Sequence, residues 1–306
     1  MSAPRISYGK LSVPLQRMGV SPLRGLPEIP ESPLRSLDSG LLACEVSVEV
    51  LGEAFLAAYT EGDNRRVVAT DTMKNVILRR ALEYDGATLE GLLDALGRTF
   101  LARYEEMEGL RLSARELPFE PAAVWAGRER SDRLFRLGDG DRGVAHLELA
   151  RGAGDAVQLA GQCSERVGMK LLKTTGSAFT SFARDDDTTL PERRDRPLFI
   201  HLDVGWRYAA PADALAGDPA RYVASEQVRD VVQTVFHEFV SESVQHLVHE
   251  IGGRLLERFP ALDEVELRAE NHTFDPVPGS SEGDDGPRAY TAPFRAYGLI
   301  TLALRR

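Results

Sequence analysis

Apolar and polar residues alternate along several segments of the chain, with a period of two that is typical of half-buried strands. Between Cys44 and Val50, for example, four apolar residues are separated by Glu45, Ser47 and Glu49. The pattern predicts strands near residues 5–18, 44–50, 109–117, 121–126, 132–137, 143–150, 156–173, 197–208, 263–274 and 288–304.

Four other segments carry apolar residues at helical spacing. They predict helices near residues 72–84, 89–101, 223–238 and 242–258. Ser241 and Ser243 can each cap the last of these helices through a side-chain oxygen.

The segment 59–75 combines a turn with the start of the first helix. Gly62 tolerates a positive φ, and the apolar residues 67–69 predict a short buried strand. Residues 70–72 (Thr-Asp-Thr) then offer N-cap oxygens for a helix that starts near Met73. A strand that ends where helix N–H groups point outward predicts a polar binding corner, with an ordinary helix cap as the alternative.

The two halves of the chain share residues as well as pattern. Segment 104–119 aligns without a gap on segment 259–274, with apolar residues coinciding at Tyr104/Phe259, Met107/Leu262, Leu110/Val265, Leu112/Leu267, Ala114/Ala269 and Phe119/Phe274. The order strand–strand–helix–helix–strand–strand also recurs, which favours duplication over chance matching of amphipathic pattern.

We therefore predict an α+β fold of two tandem repeats, residues 1–150 and 151–306, with a Pro-rich insert at 20–40 in the first. Each repeat is expected to be a four-stranded antiparallel sheet with two helices on one face. Such a sheet leaves its edge strands unpaired, and pairing with other copies around a ring removes those edges. The fold thus predicts an oligomer.

The composition and net charge of the chain restrict the classes of ligand that it is expected to bind. The chain has 306 residues and a net charge of −10, which disfavours binding to nucleic acid or to an anionic membrane. An anionic small molecule would need a local cation. Cys44 and Cys163 form neither a disulfide framework nor a metal motif, and we find no secretory signal and no membrane-spanning run. These features predict a cytoplasmic protein.

Several short motifs are spread over most of the chain. They are Tyr8-Gly9-Lys10, Gly62-Asp63-Asn64, residues 67–72 (Val-Val-Ala-Thr-Asp-Thr), 173–179 (Lys-Thr-Thr-Gly-Ser-Ala-Phe), 184–190 (Arg-Asp-Asp-Asp-Thr-Thr-Leu), Asp195-Arg196, Ser243-Val244-Gln245, 271–274 (Asn-His-Thr-Phe) and 297–300 (Tyr-Gly-Leu-Ile). In combination they resemble urate oxidase (uricase). The Pro-rich insert and the segment 217–229 resemble the bacillus-type bacterial branch of that family.

The resemblance implies two tunnelling-fold (T-fold) repeats that assemble into a β-barrel homotetramer, with a urate site built from two chains. The substrate-binding residues that it implies are Thr70, Asp71, Phe179, Arg196, Val244, Gln245 and Asn271. Their chemistry suits a flat anion. Arg196 offers a planar fork of donors, the amide of Gln245 donates and accepts beside it, and Phe179 can stack on the purine face. Considered alone, Arg196 would more often form a surface ion pair with Asp195 or Glu192.

The implied catalytic residues are Lys10, Thr70 and His272, and the implied reaction uses urate and O₂ without a cofactor. An ammonium kept near Arg196 and away from bulk water loses its proton more readily, so Lys10 would act as a base through the Thr70 hydroxyl. Considered alone, Lys10 would more often be a solvated strand lysine. The predicted products are 5-hydroxyisourate and H₂O₂.

The segment around residue 271 departs from the fungal and animal pattern Asn-x-His. If Asn271 takes the asparagine role, Thr273 stands at the histidine position; if His272 takes the histidine role, Glu270 stands at the asparagine position. Residues two apart share a strand face, which puts Asn271 on the face of Leu267 and Ala269 and His272 on the opposite one. We favour Asn271 in the site, with His272 outside it unless a bulge intervenes.

No metal site is predicted. His246 and His249 are three residues apart on a helix, but they lack a third ligand at useful spacing. The rival functions are a pterin or GTP-cyclohydrolase-like enzyme on the same fold, which would want a cluster of His and Cys metal ligands, and a purine-binding protein without catalysis.

Overall fold

The computed structural model describes residues 6–124, 130–280 and 288–306. Within them, eight antiparallel strands form one open sheet. In spatial order these are β1 (Ser7–Met18), β4 (Leu41–Leu51), β5 (Gly109–Glu116), β8 (Arg142–Arg151), β9 (Val157–Lys173), β10 (Leu198–Tyr208), β11 (Leu262–His272) and β12 (Tyr297–Arg305). Two small ribbons pair β2 (Leu23–Arg24) with β3 (Ser36–Leu37), and β6 (Phe119–Ala123) with β7 (Arg130–Leu137).

The helices are α1 (Leu56–Thr60), α2 (Thr70–Glu83), α3 (Leu89–Arg103), α4 (Ser225–Glu238) and α5 (Val244–Arg258). The predicted cap of the last helix is confirmed for Ser243, whose Oγ accepts a hydrogen bond from the backbone N–H of His246 at 3.1 Å. Ser241 is wrong as a cap, because it is buried with its Oγ 3.5 Å from that of Ser177. None of the helices in the described ranges is long and apolar enough to cross a membrane.

One face of the sheet packs against the helices. Alternate residues such as Val48 on β4 and Leu267 on β11 are buried there, and each buried aliphatic side chain contributes roughly 1.5–3 kcal/mol. The first four strands share one core with α2 and α3, and the last four share a second core with α4 and α5. The opposite face is polar and carries Glu49, Arg111 and His146 among others.

The two halves match in detail. One constant offset along the chain relates α2 to α4 and α3 to α5, residue for residue. Helices α3 and α5 end at the aligned residues Tyr104 and Phe259, each in a similar backbone conformation. A Cβ added to Gly97 would meet Leu112 and Leu149, and at the same offset a Cβ added to Gly252 would meet Leu267 and Leu304. The helices therefore approach the sheet equally closely in both halves.

Three details of the predicted elements are wrong. Residues 67–69 form no strand, because the N–H of Val67 bonds to Asn64 in a turn and that of Val68 bonds to the Tyr8 hydroxyl at 3.1 Å. Helix α2 begins at Thr70 rather than near Met73, so residues 70–72 lie inside it. The last strand begins at Tyr297 rather than at residue 288.

The strands predicted near 121–126 and 132–137 do not join the main sheet. They correspond to β6 and β7, which pair only with each other in the part of the chain that the structure describes. Residues 125 and 126 of the first prediction lie outside the described residues. The predicted insert at 20–40 contains β2 and β3.

Candidate active site

A bulge in β1 sets the direction of Lys10. Lys10 lies opposite Val48 of β4, whereas Val13 lies opposite Val46, so one extra residue is accommodated between them. Ser12 in this bulge has a φ of 53°, and its N–H bonds to the Ser47 hydroxyl at 3.0 Å. Because of the extra residue, both Lys10 and Val13 face the helices, which strict alternation would not allow. The half-buried Lys10 is thereby directed toward α2.

The N-terminus of α2 is open. Its N-cap residue is Ala69, and within the described residues no side-chain hydrogen bond caps this end of the helix. Uncapped backbone N–H groups of a first turn can bind a ligand. Thr70 and Asp71 are exposed there. A hydrogen bond from Lys74 lowers the pKa of Asp71, and the nearby charge of Lys10 lowers it further. The structure thus brings Lys10, Thr70 and Asp71 together.

A second group forms around Phe179. Phe179 and Arg193 exchange two backbone hydrogen bonds, at 2.8 and 3.0 Å. The N–H of Arg196 donates to Ser177, and that of Ala178 donates to Ser241, both at 2.8 Å. Three segments of the second half therefore meet just before α5. Val244 and Gln245 occupy the first turn of that helix, Val244 buried and Gln245 exposed.

Arg196 is a desolvated cation without a carboxylate partner among the described residues. Its Cζ lies 5.3 Å from the centre of the Phe179 ring, and its Nε is buried with no hydrogen-bond partner in the described ranges. Burial lowers the pKa of Arg196. Burying an unpaired charge costs free energy that an anionic ligand would recover.

The alternative of a surface ion pair is wrong, because both candidate acids bond elsewhere. Asp195 accepts hydrogen bonds from the Gly176 N–H at 2.6 Å and from Thr175 at 2.9 Å, and it lies 3.4 Å from Arg288. Glu192 accepts from the Ser181 N–H at 3.0 Å.

Phe182 is a residue that sequence reasoning missed. Its ring stacks on that of Phe179 with a centroid distance of 4.9 Å and an interplanar angle of 10°. One face of Phe179 is therefore covered from within the chain. The three-residue spacing of two phenylalanines in a loop gave no signal that could have found this contact.

Strand parity around residue 271 is confirmed. Asn271 lies opposite Ile200, which is buried under the helices, and His272 lies opposite Phe199. The two side chains therefore belong to opposite faces of the sheet, Asn271 to the helix face and His272 to the polar face.

On the polar face, His272 meets Glu270 and His201. The Nε2 atom of His272 lies 3.3 Å from Glu270 Oε2, and His201 Nδ1 lies 3.6 Å from the same oxygen. Burial lowers the pKa of His201, and His272 and Lys170 lower it further. His201 is on a different strand, so no spacing within one segment could reveal this cluster.

The groups around Lys10 and around Arg196 lie in different halves. Among the described residues, no hydrogen bond, ion pair or ring contact links the Lys10 group to the Arg196 group. One group combines the Lys10 amine with the N-terminus of α2, and the other combines the Arg196 guanidinium with an aromatic ring.

Known proteins identify the family. A family profile described as Uricase matches residues 44–145 and 166–301. The chain is 46% identical to a uricase of Haloferax volcanii over 91% of this chain and 92% of that protein. It is 41% identical to the bifunctional uric acid degradation protein PucL of Bacillus subtilis, covering 98% of this chain but only 61% of that protein.

Solved structures agree with the sequence matches. Urate oxidase from Bacillus sp. TB-90 superposes with a TM-score of 0.94 at 38% identity, covering 98% of this chain and 100% of that one. Both the sequence and the fold over nearly the whole length are thus those of uricases, including Bacillus uricases. The chain belongs to the uricase family.

Proposed function

We propose that this chain oxidises urate with O₂ and water to 5-hydroxyisourate and H₂O₂, as a step in uric acid degradation. The observation that carries the proposal is Arg196, a half-buried guanidinium without a counterion in the described part of the chain, next to an aromatic ring. A planar cation 5.3 Å from the centre of an aromatic ring suits a planar anion that is bound at its edge by the cation and stacked on its face by the ring.

In the proposed complex, Arg196 donates two parallel hydrogen bonds to one edge of urate. Urate takes the face of Phe179 that Phe182 leaves open. Gln245 and the backbone of Val244 bind the adjoining edge, and the open N-terminus of α2, with Thr70 and Asp71, receives the oxygen-bearing far edge.

The residues that move protons are Lys10 and Thr70. Lys10 takes a proton through the Thr70 hydroxyl, which leaves urate electron-rich enough to pass an electron to O₂ above its plane. Recombination forms a C–O bond at C5, and loss of H₂O₂ followed by addition of water gives 5-hydroxyisourate. One urate, one O₂ and one water are consumed for each pair of products.

We propose that the Lys10 group and the Arg196 group, each a partial site, come together between two chains. The junction of β8 with β9, where the first half meets the second within one chain, supports this pairing of chains. Strand β9 carries the same bulge as β1, with Arg166 opposite Val204 and Met169 opposite Leu202. Gly168 there has a positive φ, and its N–H bonds to Asp203 at 2.7 Å, as the N–H of Ser12 bonds to Ser47. Arg166 is therefore the internal counterpart of Lys10.

The contacts of Arg166 indicate what Lys10 would meet in an assembly. Arg166 Nη1 lies 3.2 Å from the hydroxyl of Ser225, the first residue of α4, as Thr70 is the first residue of α2. The same nitrogen lies 3.3 Å from Glu116, which is the counterpart of Asn271 at the constant offset. If two chains pair as the two halves of one chain do, the partner subunit's Lys10 and Thr70 would lie beside Asn271 of this chain.

This likeness favours Asn271 over His272 as the residue in the site. It also supports two T-fold repeats, residues 1–150 and 151–306, whose outer strands pair between chains as β8 pairs with β9. Strand β12 of one chain would then join β1 of the next, which closes a barrel and removes the two sheet edges. We propose a homotetramer of this kind, in the cytoplasm.

The test is an assay with purified protein, urate and air-saturated buffer in the presence of a chelator. We expect loss of urate absorbance with one H₂O₂ released per urate. Binding of urate without H₂O₂ would identify a non-catalytic purine-binding protein. Activity on a pterin or on GTP but not on urate would favour the cyclohydrolase-like rival, which the uricase relatives do not favour.

A further inference from the structure

Three potential metal ligands converge on the polar face of the sheet, opposite the helix face to which Asn271 belongs. They are His201 on β10 and Glu270 and His272 on β11, and one ligand atom of each lies within 4.8 Å of the other two. The imidazole rings are 4.1 Å apart between centroids. In the described part of the chain, no other set of three His, Cys, Asp or Glu residues converges in this way.

The sheet holds these side chains in place. His201 lies directly opposite Glu270 in the strand register, and His272 follows two residues later on the same face. The other carboxylate oxygen of Glu270 accepts a hydrogen bond from Arg268 at 2.6 Å, which leaves Oε2 for the cluster. Carboxylates that bind metals are typically anchored in this way by a second partner. The side chains of His272 and Glu270 are only 11% and 16% exposed.

The fold itself does not require this cluster. In the first half, the position of Glu270 is taken by Arg115, which lies opposite Glu45, and the position of His272 by Leu117. That half builds the same strands without any imidazole at these positions. The donor set therefore belongs to the second half alone.

We propose that His201, Glu270 and His272 bind one divalent transition-metal ion, coordinated by two imidazole nitrogens and one carboxylate oxygen. Imidazole with carboxylate suits Zn²⁺, Co²⁺ and their neighbours. Three protein ligands leave the remaining positions to water, so the site is of the open, exchangeable kind. The charges of Arg268 and Lys170 nearby weaken binding relative to a closed structural zinc site.

The proposal is independent of urate oxidation, because binding is measured without urate. Equilibrium dialysis of the purified protein against Zn²⁺, with quantification of protein and metal, should give one ion per chain. The same protein loaded with Co²⁺ should show a visible d–d absorption band from nitrogen and oxygen ligation. His201→Asn should weaken Zn²⁺ binding by about 100-fold or more, since even loss of a supporting residue costs 10–100-fold.

His146→Asn is the matched control. His146 also lies on the polar face, 3.5 Å from Glu165, but among the described residues it joins no cluster of three potential metal ligands. Its replacement should leave Zn²⁺ binding unchanged. Glu270→Gln provides a second variant if His201→Asn does not fold, as judged by circular dichroism. Failure of the wild-type protein to bind Zn²⁺, or binding that survives His201→Asn and Glu270→Gln in folded protein, would overturn the proposal.

Discussion

Replacing Arg196 with glutamine should weaken urate binding while leaving the fold as stable as before. The guanidinium fork supplies two charge-assisted hydrogen bonds to the anion, at about 1.5 kcal/mol each, and their loss of about 3 kcal/mol is roughly a hundredfold in Kd. In the free protein, Arg196 is half-buried and its Nε is without a partner among the described residues. Removing it relieves an uncompensated charge, so the unfolding midpoint should stay the same or rise.

The assay is equilibrium binding of urate under anaerobic conditions, where no O₂ is present for turnover. A parallel thermal unfolding scan gives the stability of the same preparations. Arg196→Lys, which keeps the charge but loses the fork, should fall between the wild type and Arg196→Gln. The exposed neighbour Arg194 provides the matched control, since Arg194→Gln should alter neither quantity.

Unchanged urate affinity in Arg196→Gln would refute the assignment of the anion contact. A large fall in the unfolding midpoint would refute the description of Arg196 as an unpaired cation, because it would reveal a stabilising partner. The two measurements are thus independent checks on one residue.

Three further outcomes are expected. Lys10→Met and Thr70→Ala should each lower kcat by about 10²–10⁴-fold, a far larger change than in anaerobic urate affinity; unchanged kcat in both would remove the proposed base. The double variant Ser7→Cys with Thr301→Cys should give a disulfide-linked dimer on non-reducing gels, and neither single variant should do so. The reason is that positions 7 and 301 correspond to residues 163 and 146, which are paired at the β8–β9 junction. Burial, reinforced by a neighbouring carboxylate, raises the pKa of Glu116 from its ordinary 4.5 to about 6. The folded chain then holds a proton that the unfolded chain releases, so stability should fall as pH rises from 4.5 to 6, and Glu116→Gln should flatten that slope in urea titrations.

The spacing of apolar residues was sufficient to predict the main sheet and the four long helices. The buried positions of a strand recur every two residues and those of a helix every 3.6, so the pattern identifies the element. This spacing predicted the wrong element where local hydrogen bonds determine the backbone conformation. Val67 and Val68 are apolar enough for a strand, yet their N–H groups bond to Asn64 and to the Tyr8 hydroxyl instead of a neighbouring strand. No residue type marks β6 and β7 as a separate ribbon.

The individual residues of the candidate site were assigned only through the family resemblance, and their roles stay predictions. The bulge that directs Lys10 toward α2 depends on the positive φ at Ser12, and serine carries no signal for it. Whether Arg196 forms an ion pair depends on the groups to which Asp195 and Glu192 bond instead, and those groups are distant from them in the sequence. The meeting of His201 with Glu270 depends on the register between two strands, which sequence alone does not fix. Each of these contacts is fixed only by the tertiary structure.

The contacts at the internal junction between β8 and β9 bear on how many urate molecules each polypeptide binds. Glu90, the counterpart of Gln245, is buried there and bonded to Ser164 and Tyr222, and the remaining cavity of about 50 Å³ has room for little more than water. The position of Arg196 falls on Gly40 or Leu41 in the first half, neither of which has a cationic side chain. A titration should therefore saturate at one urate per polypeptide, although the long helices of its two halves match residue for residue.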